Sequence, residues 1–403
     1  MIPDSLPAFE GFDVAHRVLA ACAIFDASQG CSPPGIAQGV KLADGAALLA
    51  AATAHQLRPQ LCAHLEAHRA SLGDAADVLL RLRPIASAHE GHGLMLAGEL
   101  RRVVEVLGSR EVTAIPFKGP AFASLVGHGP RLREMGDLDL FVEFSLVGKA
   151  VNALRELGYE SPLRARALDT PWLALATDEL LLTRRADGGA IELHWRLGHR
   201  WFPACVTLAD IGSATRVASV FGVTVQWPKP EELLLVHVTD GLKAGGASLR
   251  WAADVATLLL RYAMQLDWTR LCRIAQANGG LRGLRASLLV AARVSREAGR
   301  VTGVDPLASA LPAAGRELLQ SRDAGCMRAA ADMLQRMARD AQLQGPLAQF
   351  RWALQVADRP ARVASQVAAY LAGPALADLM LMPETGESDA CLRWRALRRR
   401  AAR

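Results

Sequence analysis

Gly136-Asp137-Leu138-Asp139-Leu140-Phe141-Val142 is the stretch on which the reading of this chain turns. Leu138, Leu140 and Val142 alternate with Asp137, Asp139 and Phe141, the period of a β-strand, so both aspartates fall on one face. Neighbouring carboxylates repel, and a cation is expected beside them. A divalent metal meets that need, because Mg²⁺ takes hard oxygen ligands, commonly one or two carboxylates together with substrate phosphates. Two such ions about 3.5–4 Å apart can clamp an in-line displacement at phosphorus. The competing reading is an edge strand with a solvated acidic face.

The flanking sequence favours the metal. Upstream, Val112 to Phe117 reads as a strand, runs into Lys118-Gly119-Pro120 and continues as the helix-like AFASLV. A strand that ends in a glycine turn and enters a helix leaves backbone N–H groups to meet a phosphate, with the helix dipole and Lys118 favouring the anion. Downstream, Glu179 to Arg185 and Ala190 to Arg196 are strand-like runs joined by Ala186-Asp187-Gly188-Gly189, a hairpin signal. Glu192 and His194 share a face of the second run, which makes Glu192 a candidate third carboxylate.

A turn glycine after one strand, two alternating aspartates on the next and an acidic residue on a later strand resemble the nucleotidyltransferase superfamily that includes DNA polymerase β, poly(A) polymerases and aminoglycoside nucleotidyltransferases. KGPA at Lys118, R-x-x-GDLDLFV from Arg133, ELGY after the following helix, and IELHW at Ile191 more closely resemble the bacterial family of uncharacterised nucleotidyltransferases (NTP-transferase 5 type). The resemblance covers about residues 95–260. It implies an α+β fold: a polymerase β-like core of a small mixed sheet with helices, flanked by helical regions. It also implies Asp137, Asp139 and Glu192 as catalytic and metal-binding residues, Mg²⁺ or Mn²⁺ as the ion, and a nucleoside triphosphate as co-substrate. One departure stands out: the superfamily's Gly-Ser after the first strand is Lys118-Gly119-Pro120 here, without a serine. The interval from Gly119 to Asp137 is also longer than the superfamily's common spacing, although both features suit the closer family.

Arg133 precedes the aspartates, and its planar donors match phosphate oxygens; the alternative is an arginine that neutralises Asp137 or Asp139. His194 is a candidate for ligand contact or for helping a proton leave an acceptor, against a buried histidine with one hydrogen-bonded nitrogen. Trp195, facing away from Glu192, reads as core. In the helical region from Lys229, His237, Lys243, Arg250, Trp251 and Asp254 correspond to the family's continuation, and Lys243 or Arg250 is placed to hold a β- or γ-phosphate. Asp254 lies inside an apolar helix and needs a partner, for which Arg250 at i−4 is the nearest candidate.

At 403 residues, 51% hydrophobic and 21% charged, the chain is globular and long enough for two or three domains. Expected boundaries give an N-terminal helical region (1–93), the nucleotidyltransferase-like core (94–228), a C-terminal helical domain (229–385) and a basic tail (386–403). Aromatics are 5%, which argues against a stacking platform for single-stranded nucleic acid. The net charge of +6 is matched by Arg393, Arg395, Arg398, Arg399, Arg400 and Arg403, so the basic character belongs to the tail. Such a run meets an acidic partner, RNA or an anionic membrane, or is a solvated helix end. Cysteines at 22, 31, 62, 205, 272, 326 and 391 form no C-x-x-C pair, and no apolar run reaches the length of a membrane span, so the chain reads as reduced, soluble and cytoplasmic.

Along the rest of the chain, residues 1–90 read as packing helices broken by Cys31 to Gly35. His89 and His92 lie three apart, not in H-E-x-x-H, and read as helix-surface residues. A helix from Leu94 is expected to end at Gly108. Ser145 is the expected cap of a helix over 146–157 closed by Gly158, and Ser161 to Asp178 reads as an irregular connection. Val223 to Trp227 is a further short strand, and amphipathic helices follow to about residue 380. Pro374, Asp378 and Pro383 echo the family's closing segment.

These observations imply a metal-dependent transfer of a nucleoside monophosphate from a nucleoside triphosphate to an unidentified hydroxyl or phosphate acceptor on a small molecule, peptide or protein. The alternatives are a catalytically degenerate nucleotide- or partner-binding protein with the same cleft, and an RNA-directed enzyme using the arginine tail.

Overall fold

The computed structural model describes residues 11–364, except 26–31, 127–128, 164–167, 169–172, 175–176, 198–202, 204–205, 213–214, 321–322 and 362. The arginine tail, the segment with Pro374, Asp378 and Pro383, most of the Ser161–Asp178 connection, His128, and the cysteines at 31, 205 and 391 lie wholly or largely outside the described residues. Cys22, Cys62 and Cys272 are free thiols.

The chain opens with helices α1 (Val14–Ile24), α2 (Pro34–Leu42), α3 (Gly45–Ala54) and α4 (Arg58–Ala67), then the long α5 (Ala76–Ser109). Leu96, Leu100, Val103 and Leu107 of α5 are buried, one stripe at helical spacing. The helix runs unbroken through the boundary expected at 93/94. It also passes Gly108, and the left-handed turn that follows is taken by Glu111 (φ 52°).

Strand β1 (Ala114–Pro116) is followed by α6 (Gly119–Leu125), β2 (Leu138–Val142), α7 (Val147–Arg155), β3 (Tyr159–Glu160), β4 (Glu179–Arg184) and β5 (Ala190–His194). Together they form a five-stranded mixed sheet in the order β1-β2-β5-β4-β3. β1 lies antiparallel to β2, β2 parallel to β5, and β4 antiparallel to both β5 and β3. β2 is thus an interior strand, buried at every position, which removes the edge-strand reading of its aspartates. Ser145 does not cap α7; a 3₁₀ turn at Phe144–Leu146 leads into the helix, and the Ser145 hydroxyl donates to Glu143. Gly158 closes the turn after it, with φ +81°.

After the short α8 (Leu208–Gly212), β6 (Thr215–Val220) and β7 (Val223–Pro228) make a separate hairpin about Phe221-Gly222. Both turn residues have positive φ, the pattern of a two-residue hairpin loop. The helices that follow are α9 (Pro230–Lys243), α10 (Leu249–Tyr262), α11 (Trp268–Ala277), α12 (Leu281–Thr302), α13 (Pro306–Ala310), α14 (Ala313–Leu319), α15 (Ala324–Ala338) and α16 (Gly345–Val356). α12 is the hub, packing on α1, α10 and α15, so the N-terminal helix shares a core with the C-terminal ones. Among the described residues, no helix is long and apolar enough to cross a membrane.

Candidate active site

The site is built on one face of the sheet by register. Asp139 of β2 is the direct partner of Glu192 on the parallel strand β5, and Phe141 is the partner of His194. Side chains alternate along a strand, so Asp139, Phe141, Glu192 and His194 share this face, with Asp137 two residues before Asp139. Across the β4–β5 ladder Glu179 pairs with His194, which brings a further carboxylate to the same surface. The opposite face carries Leu138, Leu140, Ile191 and Leu193, all buried in the core.

The Lys118-Gly119 turn closes against this strand. Gly119 has φ +56°, and a Cβ there would stand 3.1 Å from the Asp137 carbonyl oxygen, so glycine answers both a left-handed conformation and a close approach. Lys118 precedes α6 and sends its ammonium to the carboxylates. Its Nζ donates to Asp240 Oδ1 of α9 at 2.6 Å and lies 3.7 Å from Asp139 Oδ1.

His194 is the other cation candidate. Its Nε2 lies 3.1 Å from Asp139 Oδ1 and 3.4 Å from Glu192 Oε2, and its Nδ1 lies 3.4 Å from Glu179 Oε2. Burial alone would depress the imidazolium, but hydrogen bonds to Asp139 and Glu192 and the surrounding negative charge lift it to about 9. These carboxylates therefore favour the protonated ring. Lys243 also faces the cluster, 3.3 Å from Glu179 Oε2.

The electrostatics differ for the two aspartates. Burial, followed by the charges of Asp139 and Glu192, pushes Asp137 up to about 7. Asp139 is more deeply buried, which by itself would raise it, yet the Lys118 charge and the His194 hydrogen bond hold it well below the usual carboxylate range. For Lys118, burial opposes the charge, and Asp139 and Asp240 more than restore it.

Arg133 neutralises neither aspartate of the motif. It is buried, forms an ion pair with Asp254 of α10, and lies over the Phe122 ring at 4.8 Å. Asp254 thus finds its partner across the fold and not at i−4. Arg250 instead donates from Nη1 to the backbone carbonyl of Glu134 at 2.8 Å, and burial with the Arg133 charge beside it pushes it down to about 10. The carboxylates of Asp254, Glu134 and Asp240 offset part of that effect. Glu134 is engaged by Arg58, whose Nη2 also lies 3.2 Å from Nε2 of half-buried His89. His237 lies against Phe122, ring centroids 4.0 Å apart, with Nε2 buried and lacking a hydrogen-bond partner. Trp195 is core, as its alternation implied; its Nε1–H donates to the Thr177 carbonyl at 3.1 Å.

Asp137, Asp139, Glu192, His194, Lys118, Gly119 and Lys243 thus gather at one place, while Arg133 and Arg250 lie in an adjoining layer. Sequence reasoning missed Glu179 and Asp240. Glu179 was within reach, because counting back through the hairpin from Thr183 and Ala190 lands Glu179 opposite His194. Asp240 carries no local signal, since only tertiary packing of α9 brings it to Lys118. A grouping of Asp139, Glu192 and His194 has ligand atoms close enough together to hold a metal ion.

A family model described as an uncharacterised nucleotidyltransferase matches residues 42–295. No curated protein and no solved structure matches the chain. The matched range runs from the last residue of α2 into α12 and takes in the whole sheet, the carboxylate face and the helices against it. By that match the chain belongs to the uncharacterised nucleotidyltransferase family.

Proposed function

We propose that this protein transfers a nucleoside monophosphate from a nucleoside triphosphate to a hydroxyl or phosphate acceptor, with Mg²⁺ or Mn²⁺ held by Asp137, Asp139 and Glu192. The observation that carries the reading is the register of β2 on β5, which sets Asp139 directly beside Glu192 under the charge of Lys118. The donor set suits a hard dication: it offers carboxylate oxygens, and burial together with the charges of Asp139 and Glu192 pushes Asp137 up to about 7. When bound, the ion would offset the charge that develops on the phosphoryl oxygens.

The chain's own residues then divide the remaining work. Lys118, held by Asp240 beside the Gly119 turn, would present its ammonium to phosphate oxygens there. Lys243 and Arg250 reach the same region from α9 and α10, and Arg250 gains most from an anion because Arg133 already crowds it with like charge. Arg133 holds α10 against the sheet side through Asp254. His194 stands beside the same carboxylates, with Glu179 Oε2 3.4 Å from its Nδ1, and is placed to contact a phosphate oxygen. Glu192 accepts the proton of the attacking group.

The second reading is a nucleotide- or partner-binding protein that has lost catalysis. The Lys118-Gly119-Pro120 turn without a serine favours it. A titration with Mn²⁺ read by electron paramagnetic resonance, with a non-hydrolysable triphosphate present, tests the metal assignment. Binding lost in Asp139→Asn and retained in Glu143→Gln supports it; equal binding in both sinks it. Release of pyrophosphate from a hydrolysable triphosphate then separates the enzyme from the binder.

A further inference from the structure

Outside the carboxylate face, one other group of side chains has the donor atoms of a metal site. His16 of α1, His55 after α3 and Asp340 after α15 meet with one ligand atom each, all within 4.8 Å of one another. His16 Nε2 lies 3.3 Å and His55 Nε2 2.9 Å from Asp340 Oδ1. Tetrahedral Zn²⁺ with bonds of about 2.0–2.1 Å sets its ligand atoms about 3.3 Å apart, so this spacing suits three corners of such a site.

We propose that His16, His55 and Asp340 bind a divalent transition-metal ion, Zn²⁺ foremost, at a site separate from the proposed nucleotide site. Two independent details support it. The first lies behind His16, whose Nδ1 contacts Asp13 Oδ1 at 2.7 Å. A carboxylate that fixes the proton on one ring nitrogen turns the lone pair of the other toward the ion, the usual arrangement behind a metal-bound histidine. Asp13 is itself held, because the same oxygen accepts from the His16 backbone N–H and caps α1.

The second detail is at His55. The residue is 2% exposed, and its Nε2 lies 2.9 Å from Asp340 Oδ1, close enough for His55 to hold the Asp340 carboxyl below its ordinary value. His16 and His55 thus each bring Nε2 to the same Asp340 oxygen, and one ion could replace both contacts. The rings are held in place: Phe12 stacks on His16 at 5.7 Å, and His16 and His55 meet edge to face at 5.5 Å. Asp340 is exposed and has φ +50°, a conformation that aspartate and asparagine tolerate better than most residues. The exposed side of Asp340 leaves room for a water as fourth ligand.

Binding requires one rearrangement. His55 Nδ1 now accepts the Leu249 backbone N–H at 3.2 Å, so its proton sits on Nε2. On ligation that proton passes to Nδ1, and the Leu249 amide, in the first turn of α10, loses this acceptor. Two imidazoles among three ligands select a borderline ion over Mg²⁺. The ion would tie the first helix to the end of α15, which are 324 residues apart along the chain between His16 and Asp340.

The test uses the full chain with Asp139→Asn and Glu192→Gln, so that the carboxylate face does not compete. Equilibrium dialysis against Zn²⁺ in excess Mg²⁺, with metal counted by mass spectrometry, is expected to give one Zn²⁺ per chain. Adding Asp340→Asn, which keeps the tolerated backbone, or His16→Gln is expected to weaken binding at least tenfold. Zn²⁺ is expected to raise the melting temperature of the parent and not of these variants, and zinc-edge absorption to show two imidazole shells. No zinc on a folded parent, or undiminished zinc on folded His16→Gln and Asp340→Asn, overturns the proposal.

Discussion

Asp139 and Lys118 stand 3.7 Å apart on neighbouring elements of the same face, and Lys118 reaches past that contact to Asp240 of α9 at 2.6 Å. One ammonium therefore joins the carboxylates of the sheet to the helix that covers them. The cation demanded by two adjacent aspartates is partly supplied from within the chain, by Lys118 and His194. In the proposed function these same two groups face the phosphates of a nucleotide.

Lys118→Gln is expected to weaken triphosphate binding roughly 10- to 100-fold, the worth of a charge-assisted hydrogen bond of about 1.5–3 kcal/mol. Isothermal titration with each ribonucleoside triphosphate and Mg²⁺ measures it. Asp240→Asn should have a smaller effect, because it removes only the residue that positions the ammonium. Equal affinities in wild type and Lys118→Gln would remove Lys118 from the phosphate site.

His237 gives the fold a pH dependence away from the carboxylates. Burial pushes it from 6.5 down to about 4, with Asp254 opposing and Arg133 assisting. Between those values the unfolded chain binds the proton and the folded one does not, so stability present above pH 6.5 is lost as pH falls toward 4. The loss is on the order of 3 kcal/mol at about 1.4 kcal/mol per pH unit. Urea unfolding at pH 7 and 4.5 should show it, with a shallower slope in His237→Gln.

Gly241 of α9 is the contact point of α10. A Cβ there would lie 1.8 Å from Trp251 Nε1, whose N–H donates to the His237 carbonyl at 2.7 Å. Gly241→Ala must expel the indole and break that bond, an overpacking cost of about 1–3 kcal/mol or more. Thermal unfolding should show a clear drop, and triphosphate affinity should fall with it, because Asp240 and Lys243 sit on the same helix. Tolerance of alanine would show that α9 and α10 are free to separate.

The Arg133–Asp254 pair is buried on both sides. Asp254→Ala leaves the arginine uncompensated and is expected to cost about 3–5 kcal/mol, while Arg133→Met with Asp254→Leu should cost much less. Chemical denaturation of the single and double variants decides this. A milder single variant would mean that Arg133 reaches another acceptor.

Much of this site was legible because β-structure writes its faces into the sequence. The alternation in GDLDLFV and IELHW puts Asp139, Glu192 and His194 on one face, as the β2–β5 register has them, and the AlaAspGlyGly turn at 186–189 marked the hairpin. What escaped was set by packing between distant segments. Asp254 has Arg250 one turn away, yet the docking of α10 on the residues before β2 gives it Arg133, and Arg250 goes to the Glu134 carbonyl. His16 and His55 were legible only as members of packing helices, because their meeting with Asp340 depends on α1 lying in the C-terminal helical core. Ser145 looked like a cap from its position, but the 3₁₀ turn before α7 gave its hydroxyl to Glu143.

The central claim is that Asp137, Asp139 and Glu192 hold a metal together with a nucleoside triphosphate. Isothermal titration of the full chain with the four ribonucleoside triphosphates, with and without Mg²⁺, tests it most directly when repeated on Asp137→Asn/Asp139→Asn. Mg²⁺-dependent binding of at least one triphosphate is expected of the wild type, weakened at least a hundredfold in the folded double variant. Binding that is indifferent to Mg²⁺ or to the two substitutions, or no binding by a folded wild type, would contradict it.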